Sequence, residues 1–260
     1  MTPISIDDPD DPRFRQFRLN ERGLASRADK RNDAGAGLFL AEGDLVVERA
    51  LDAGCVPVAA LVDPDRIPDV SAGLECPVYC GGDQVRRIVS GLGMPQAIIA
   101  LFERPPRPTV TELAATARRI VVLEAVDNPA NVGAIIRNAA GLGWDALILD
   151  HTCADPLARR SLRVAMGTAF ALPHARTTDL PGALADLGDV TLYAMTPDPG
   201  APDLADIQAT ERAAVLIGSE RAGLSDALMS MATPVRIPMA AGVDSLNAAA
   251  ASAIACWALR

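Results

Sequence analysis

From Arg119 onward, short runs of apolar and β-branched residues alternate with stretches that read as helix, and this alternation constrains the fold more than any other feature of the chain. Strands are expected at 119–126 (RIVVLEAV), 146–150, 190–195, 213–217 and 234–237. Helices are expected near 132–142, 156–164, 180–187 and 224–229, with a last one from Ser245 to the end. Strands of nearly continuous apolar character, separated by helices, are buried on both faces and parallel. The expected class is α/β, with a mostly parallel sheet and helices on both faces.

Upstream of that region a second, smaller α/β domain is expected, because 260 residues exceed the usual size of one domain. Residues 1–12 hold four aspartates among prolines and read as a flexible arm. Residues 13–31 have few helix breakers and read as a helix. Strand signals follow at 37–43, 56–63, 77–80 and 96–103, with helices over 44–54 and from Asp83. The prolines of RPPRPT (104–109) can continue neither ladder nor helix. The expected division is an arm at 1–12, a first domain at 13–104, a linker at 105–118 and a second domain at 119–260.

Aromatic residues make up only 3% of the chain, which favours closely approaching helices and parallel strands over an aromatic-filled sandwich. The five cysteines are an odd number, and no apolar signal-peptide core follows the first charges, so a reduced, cytoplasmic protein is expected. Cys76 and Cys80 have no second cysteine pair, and His151 and His174 are the sole histidines; no metal site is expected. No apolar run is long enough to span a bilayer, so no membrane partner is expected. The net charge of −9 argues against a polyanionic partner, but Arg13, Arg15, Arg18, Arg22, Arg27, Lys30 and Arg31 outnumber Glu21 and Asp29, a local balance of 7 − 2 = +5.

Three segments carry chemistry. In NPANVGAIIRNAAGLG (128–143) the Asn-Pro pair forces a turn, and Asn131 is expected at the helix N-cap. Arg137 shares a helix face with Gly133 and is either an anion ligand near the strand ends or a surface arginine. Gly141 and Gly143 follow a helix rather than a strand, the reverse of a dinucleotide-binding loop. In GSERAGLS (218–225), Gly218 and Gly223 permit close ligand approach, and Glu220 is either a base or an acceptor of backbone N–H groups. In the third segment Asp244 or Ser245 is expected to cap the terminal helix, with Asn247 in its first turn. That helix is small and apolar on nearly every face, which implies burial against the domain, a second subunit, or both.

The ordered set N-P-x-N-x-G-x-x-x-R, G-x-E-x-x-G-L, and I-P-M followed by S-L-N resembles the SpoU-type, or TrmH-type, RNA 2'-O-ribose methyltransferases. RVAMGTAFALP (163–173) adds to the likeness, and GLFLAEGDLVVERALDAG (37–54) is similar to the family's L30e-like RNA substrate-binding domain. The resemblance implies a C-terminal trefoil-knotted domain, a homodimer formed through it, S-adenosylmethionine as cofactor and RNA as substrate, ribosomal RNA ahead of transfer RNA. It assigns Gly218, Ile237 and Leu246 to the cofactor, with Met195, Thr196 and Met239 as neighbours. It assigns Asn131, Arg137, Glu220, Ser245 and Asn247 to the catalytic centre. Arg221 stands where the family often has glycine and implies an added phosphate contact. Asn138 stands where Ser or Thr is common and is expected to matter little. A catalytically silent cofactor- and RNA-binding assembly protein and a small-molecule α/β enzyme are the competing readings.

Overall fold

The computed structural model describes residues 2–24 and 37–260, and divides the chain into two compact units: Met1–Pro106 with Leu157–Phe170, and Arg107–Pro156 with Ala171–Arg260.

In the first unit the strands are β1 (Ile4–Ser5), β2 (Leu38–Glu42), β3 (Pro57–Val62), β4 (Val78–Cys80) and β5 (Ile98–Glu103). They form one mixed sheet in the order β1-β4-β3-β5-β2, parallel from β1 to β3 and antiparallel through β5 to β2. Its helices are α1 (Glu21–Leu24), α2 (Asp44–Asp52), α3 (Asp83–Ser90) and a helix from the segment 157–170 described below. Ile6, Phe14, Phe17, Leu24, Leu61 and Tyr79 share one core cluster.

Two expectations fail here. The described part of 1–12, from residue 2, is not a loose arm: β1 pairs with β4, and Ile6 behind it is buried. The long helix over 13–31 is not formed over its described part, which is a 3₁₀ turn (Pro12–Phe14), further turns, and the four-residue α1. Its physical reason is the spacing of the apolar residues. Phe14 and Phe17 are fully buried, with Phe14 set edge-on against Tyr79 at 5.8 Å, and Asp11 accepts the Arg13 N–H to start the 3₁₀ turn instead. Two cations of the basic run are thereby paired, Arg13 with Asp11 at 2.6 Å and Arg18 with Asp10 at 2.9 Å. Arg27, Lys30 and Arg31 lie outside the described residues, as does the side chain of Arg22.

The second unit holds β6 (Arg119–Leu123), β7 (Ala146–Asp150), β8 (His174–Thr177), β9 (Thr191–Met195), β10 (Ala213–Ile217) and β11 (Thr233–Val235), in the order β11-β9-β10-β6-β7-β8 with every pairing parallel. All five residues of β10 are buried, as the unbroken apolar run requires. Its helices are α4 (Val110–Ala114), α5 (Pro129–Gly141), α7 (Leu180–Ala185), α8 (Asp226–Met231) and α9 (Ala248–Ala258); α6 (Arg159–Ala165) belongs to the first unit. Ile120, Val122, Ile148, Leu184, Leu216 and Leu228 sit in one core cluster, while α5 packs against α9.

The boundaries differ from the expected ones at two places. The linker stops at Pro106, because Thr109 and Glu112 form a reciprocal capping box on α4 and Leu113 enters the second unit's core. The stretch 119–260 is interrupted: α6 packs on β2, and Arg159 is ion-paired with the buried Glu42. β8 has no counterpart among the expected strands; His-Ala-Arg-Thr alternates polar and small residues and carries no apolar run.

Candidate active site

Open parallel sheets bind ligands beyond the carboxyl ends of their strands. In the second unit three chain segments leave the ends of the neighbouring strands β9, β10 and β11 and line one cavity of about 420 Å³. Met195, Thr196 and Pro197 come from the first segment, Ile217 to Leu224 from the second, and Ile237, Met239, Ser245 and Leu246 from the third. All six residues expected at the cofactor line this cavity.

Local chemistry fixes each segment. Thr196 donates its N–H to the Val235 carbonyl at 3.0 Å, and the Arg236–Asp203 ion pair at 2.6 Å holds the loop after β9 beside the end of β11. The loop after β10 closes on itself. The Ser219 carbonyl accepts the Gly223 N–H at 3.0 Å, and the Ser219 hydroxyl accepts the Ala222 N–H at 3.2 Å. Gly223 has φ +68°, and a Cβ at Gly218 would collide with the backbone of Gly223 and Leu224. Glu124, just past β6, accepts the Ser225 N–H at 2.7 Å and anchors the loop's far end; nothing in the sequence singles it out.

At the start of α5, Asn128 rather than Asn131 is the N-cap, accepting the Ala130 N–H at 2.9 Å, with Pro129 in the first helical position. Ala125, at the preceding turn, has φ +54°, and its N–H is held by Asp150 at 3.0 Å. Half-buried Asp150 sits below the usual carboxylate range: burial opposes its charge, and hydrogen bonds from Cys153, Thr152 and Ala125 outweigh that. Asn131 therefore falls in the first turn, buried, where its amide donates to Glu220 and its carbonyl accepts the Asn247 amide at 3.1 Å. Asn247, not Asp244 or Ser245, caps α9, its carbonyl accepting the N–H groups of Ala249 at 2.9 Å and Ala250 at 3.3 Å. One hydrogen-bonded chain thus runs Glu220–Asn131–Asn247–α9 and ties the loops after β10 and β11 to α5.

Asn138 donates to the Ala249 carbonyl at 2.9 Å and to the Ser252 hydroxyl at 3.1 Å, so it fastens α9 to α5. Arg137 is the one proposed catalytic residue set apart. It is exposed, does not line the cavity, and has no hydrogen bond or ion pair among the described residues. Six helical positions from Asn131, it points about 120° away around the helix.

Residues 118–257, over half of the chain, match the model of the SpoU rRNA Methylase family. The chain belongs to that family. A relative named as an uncharacterised tRNA/rRNA methyltransferase of Mycobacterium tuberculosis is 41% identical over 260 residues, covering 95% of this chain and 88% of its own. The 23S rRNA (guanosine(2553)-2'-O)-methyltransferase RlmP of Bacillus subtilis is 34% identical over 227 residues, covering 85% of this chain and 88% of its own. Among solved structures, an AdoMet-bound rRNA methyltransferase from Sinorhizobium meliloti superposes with a TM-score of 0.83 at 27% identity, covering 98% of this chain and 97% of that one. Family membership makes the chain an RNA methyltransferase, and the ordered motifs 128–137, 218–224 and 237–247 all lie inside the matched region.

No helix among the described residues is long and apolar enough to cross a membrane, and no group of three or more His, Cys, Asp or Glu among them could hold a metal ion.

Proposed function

We propose that the chain transfers the methyl group of S-adenosylmethionine to the 2'-oxygen of a ribose in ribosomal RNA, with the cofactor in the cavity beyond β9, β10 and β11. The observation that carries this reading is the convergence of three strand-end loops on one cavity next to the Glu220–Asn131–Asn247 chain. The cavity fits such a cofactor. Its volume falls within the roughly 300–1,000 Å³ of small-molecule sites, Met195, Ile237 and Leu246 offer apolar walls for a flat base, and the absence of a side chain at Gly218 lets the loop close against the backbone of Gly223 and Leu224 along the cavity wall. Ribosomal RNA is favoured over transfer RNA because the Bacillus subtilis relative acts on 23S rRNA by name.

When bound, the cofactor supplies an electrophilic sulfonium methyl. The chain's own residues hold the attacking oxygen in line with it, which accounts for much of the rate. Asn131 and Asn247 fix the orientation of Glu220 and of the loop bearing Ser245, so that Ser245 and Glu220 orient the ribose at the cavity wall. Arg137, exposed and outside the cavity lining, holds an RNA phosphate, and the 2'-hydroxyl proton passes to water as the methyl group is transferred.

The same reading includes a trefoil knot formed by the loops after β9, β10 and β11, an L30e-like RNA-binding role for the five-stranded first unit, work in the cytoplasm, and a homodimer. Support for the dimer is α9, where Ile254 and Trp257 are 41% and 57% exposed on an otherwise apolar helix. The test is incubation with methyl-labelled S-adenosylmethionine and total RNA, followed by nuclease digestion and analytical sedimentation of the protein. Label in a 2'-O-methylated nucleotide of ribosomal RNA is expected, from a dimer. Label on a base, in transfer RNA alone or in no RNA overturns the substrate assignment, and a strict monomer at micromolar concentration overturns the dimer.

A further inference from the structure

Among the residues lining the cavity, two carry a charge, Glu220 and Arg221, side by side at the tip of the loop after β10. That loop is a stiff frame. Its two hydrogen bonds to Ser219, the close approach of Gly218 to Gly223 and the anchor of Ser225 on Glu124 leave the tip little freedom. The two charges are treated differently. The Glu220 carboxylate turns to the Asn131 amide, while Arg221 is exposed and makes no hydrogen bond or ion pair among the described residues, its carboxylate neighbour included. The cavity rim therefore presents an uncompensated guanidinium from a preorganised loop.

A planar guanidinium with free donors suits a two-oxygen anion and grips it bidentately. In RNA the anionic group is the backbone phosphate, and phosphate contacts fix register without reading sequence. On a chain with 33 acidic against 24 basic residues, a cation beside the reacting group has weight, since the rest of the surface repels a polyanion on balance. We propose that Arg221 grips a backbone phosphate next to the ribose to be methylated and so sets which 2'-hydroxyl enters the cavity; this rests on the methyl-transfer reading of that cavity. The exposed position of Arg221 lets its guanidinium reach an RNA phosphate outside the cavity; the carboxylate of the cofactor is the competing anion, and the cofactor-binding readout separates the two.

The test uses the full chain with Arg221→Gln and Arg221→Lys, ribosomal RNA freed of protein as the probe, and three separate readouts: RNA binding across a salt series, cofactor binding by calorimetry, and steady-state methylation. Exposed and unpartnered, Arg221 can be replaced without unfolding, which an unchanged melting temperature verifies. Expected for Arg221→Gln is an RNA affinity lower by about 10-fold, the scale of one hydrogen bond to a charged group. The slope of log affinity against log salt should shrink by about 0.7 to 0.9, the value of one phosphate. Cofactor affinity should be unchanged. Arg221→Lys should keep the salt slope and recover part of the affinity. An unaltered RNA affinity and slope, or a loss in cofactor affinity instead, overturns the assignment. Because wild-type cofactor binding and methylation are read in the same experiment, a wild type lacking both shows that the methyl-transfer reading itself has failed.

Discussion

Two glutamates near strand ends, Glu42 closing β2 and Glu220 beyond β10, are handled in opposite ways. Glu42 is 5% exposed and is closed in by two arginines: Arg159 donates from Nε at 2.8 Å and from Nη2, and Arg163 approaches at 3.4 Å. Arg159 is itself completed by the Ser90 carbonyl at 2.9 Å. Glu220 is exposed, and its one described partner is the neutral amide of Asn131. A charge taken out of water costs several kcal/mol unless it is compensated, so the buried glutamate is neutralised and thereby made inert. The exposed one is oriented by a group that leaves its charge usable. The first arrangement holds a fold together, and the second prepares a site for a ligand.

The sharpest way to break this comparison is to remove a compensating charge. Arg159→Ala leaves the Glu42 side chain, 1% exposed, with Arg163 at 3.4 Å as its remaining ion-pair partner among the described residues, and should cost about 3 kcal/mol of stability in urea unfolding, the low end for breaking a buried pair. The double change Glu42→Leu with Arg159→Leu should recover most of it, since an apolar pair of similar volume avoids the desolvation. A loss below about 1 kcal/mol for the single change, the scale of an exposed ion pair, would show that water reaches Glu42 and that the contrast is false.

The second test attacks the other side. Asn131→Ala removes the amide that links Glu220 to Asn247 in the next loop, and both of those partners are exposed enough to turn to water. Stability should fall by only about 1 kcal/mol, while the methylation rate at saturating RNA and cofactor should fall by about 100-fold, the effect of an ångström of misplacement. A rate close to wild type would mean that the chain of amides is scaffolding with no bearing on catalysis.

How far the sequence exposes these features depends on the range of the interaction involved. Apolar runs such as 119–123 and 213–217 announce buried parallel strands, and the glycines of 218–223 announce a turn, because those properties are local. His174–Thr177 escapes such a reading because its burial is supplied by neighbours in space, not by its own apolar pattern. The return of α6 to the first unit is invisible for the same reason: Arg159 and Glu42 lie 117 residues apart. At the site, the residue types are legible and their roles are not. The cap expected at Asn131 belongs to Asn128, the cap expected at Asp244 or Ser245 belongs to Asn247, and only the side-chain pairing of Asn131 with Asn247 shows why asparagine is needed at both.

A third way of managing an ionisable group in the interior is to give up its charge, and the second unit shows it at His174. Burial first, and then the nearby Arg107 guanidinium, push the imidazole down from 6.5 to about 4. Between those values the unfolded chain binds a proton that the folded chain refuses, so stability is full above about pH 6.5 and falls as the solution is acidified. At about 1.4 kcal/mol per pH unit the loss from this group approaches 2 kcal/mol by about pH 5. His174→Gln removes the proton site while keeping a polar side chain, so unfolding curves collected from about pH 7.5 to 5 should show a shallower pH slope for the variant, by close to one proton. If wild type and variant lose stability in parallel, the imidazole is charged inside the fold, and charge would then be tolerated there without the neutralising partners that Glu42 requires.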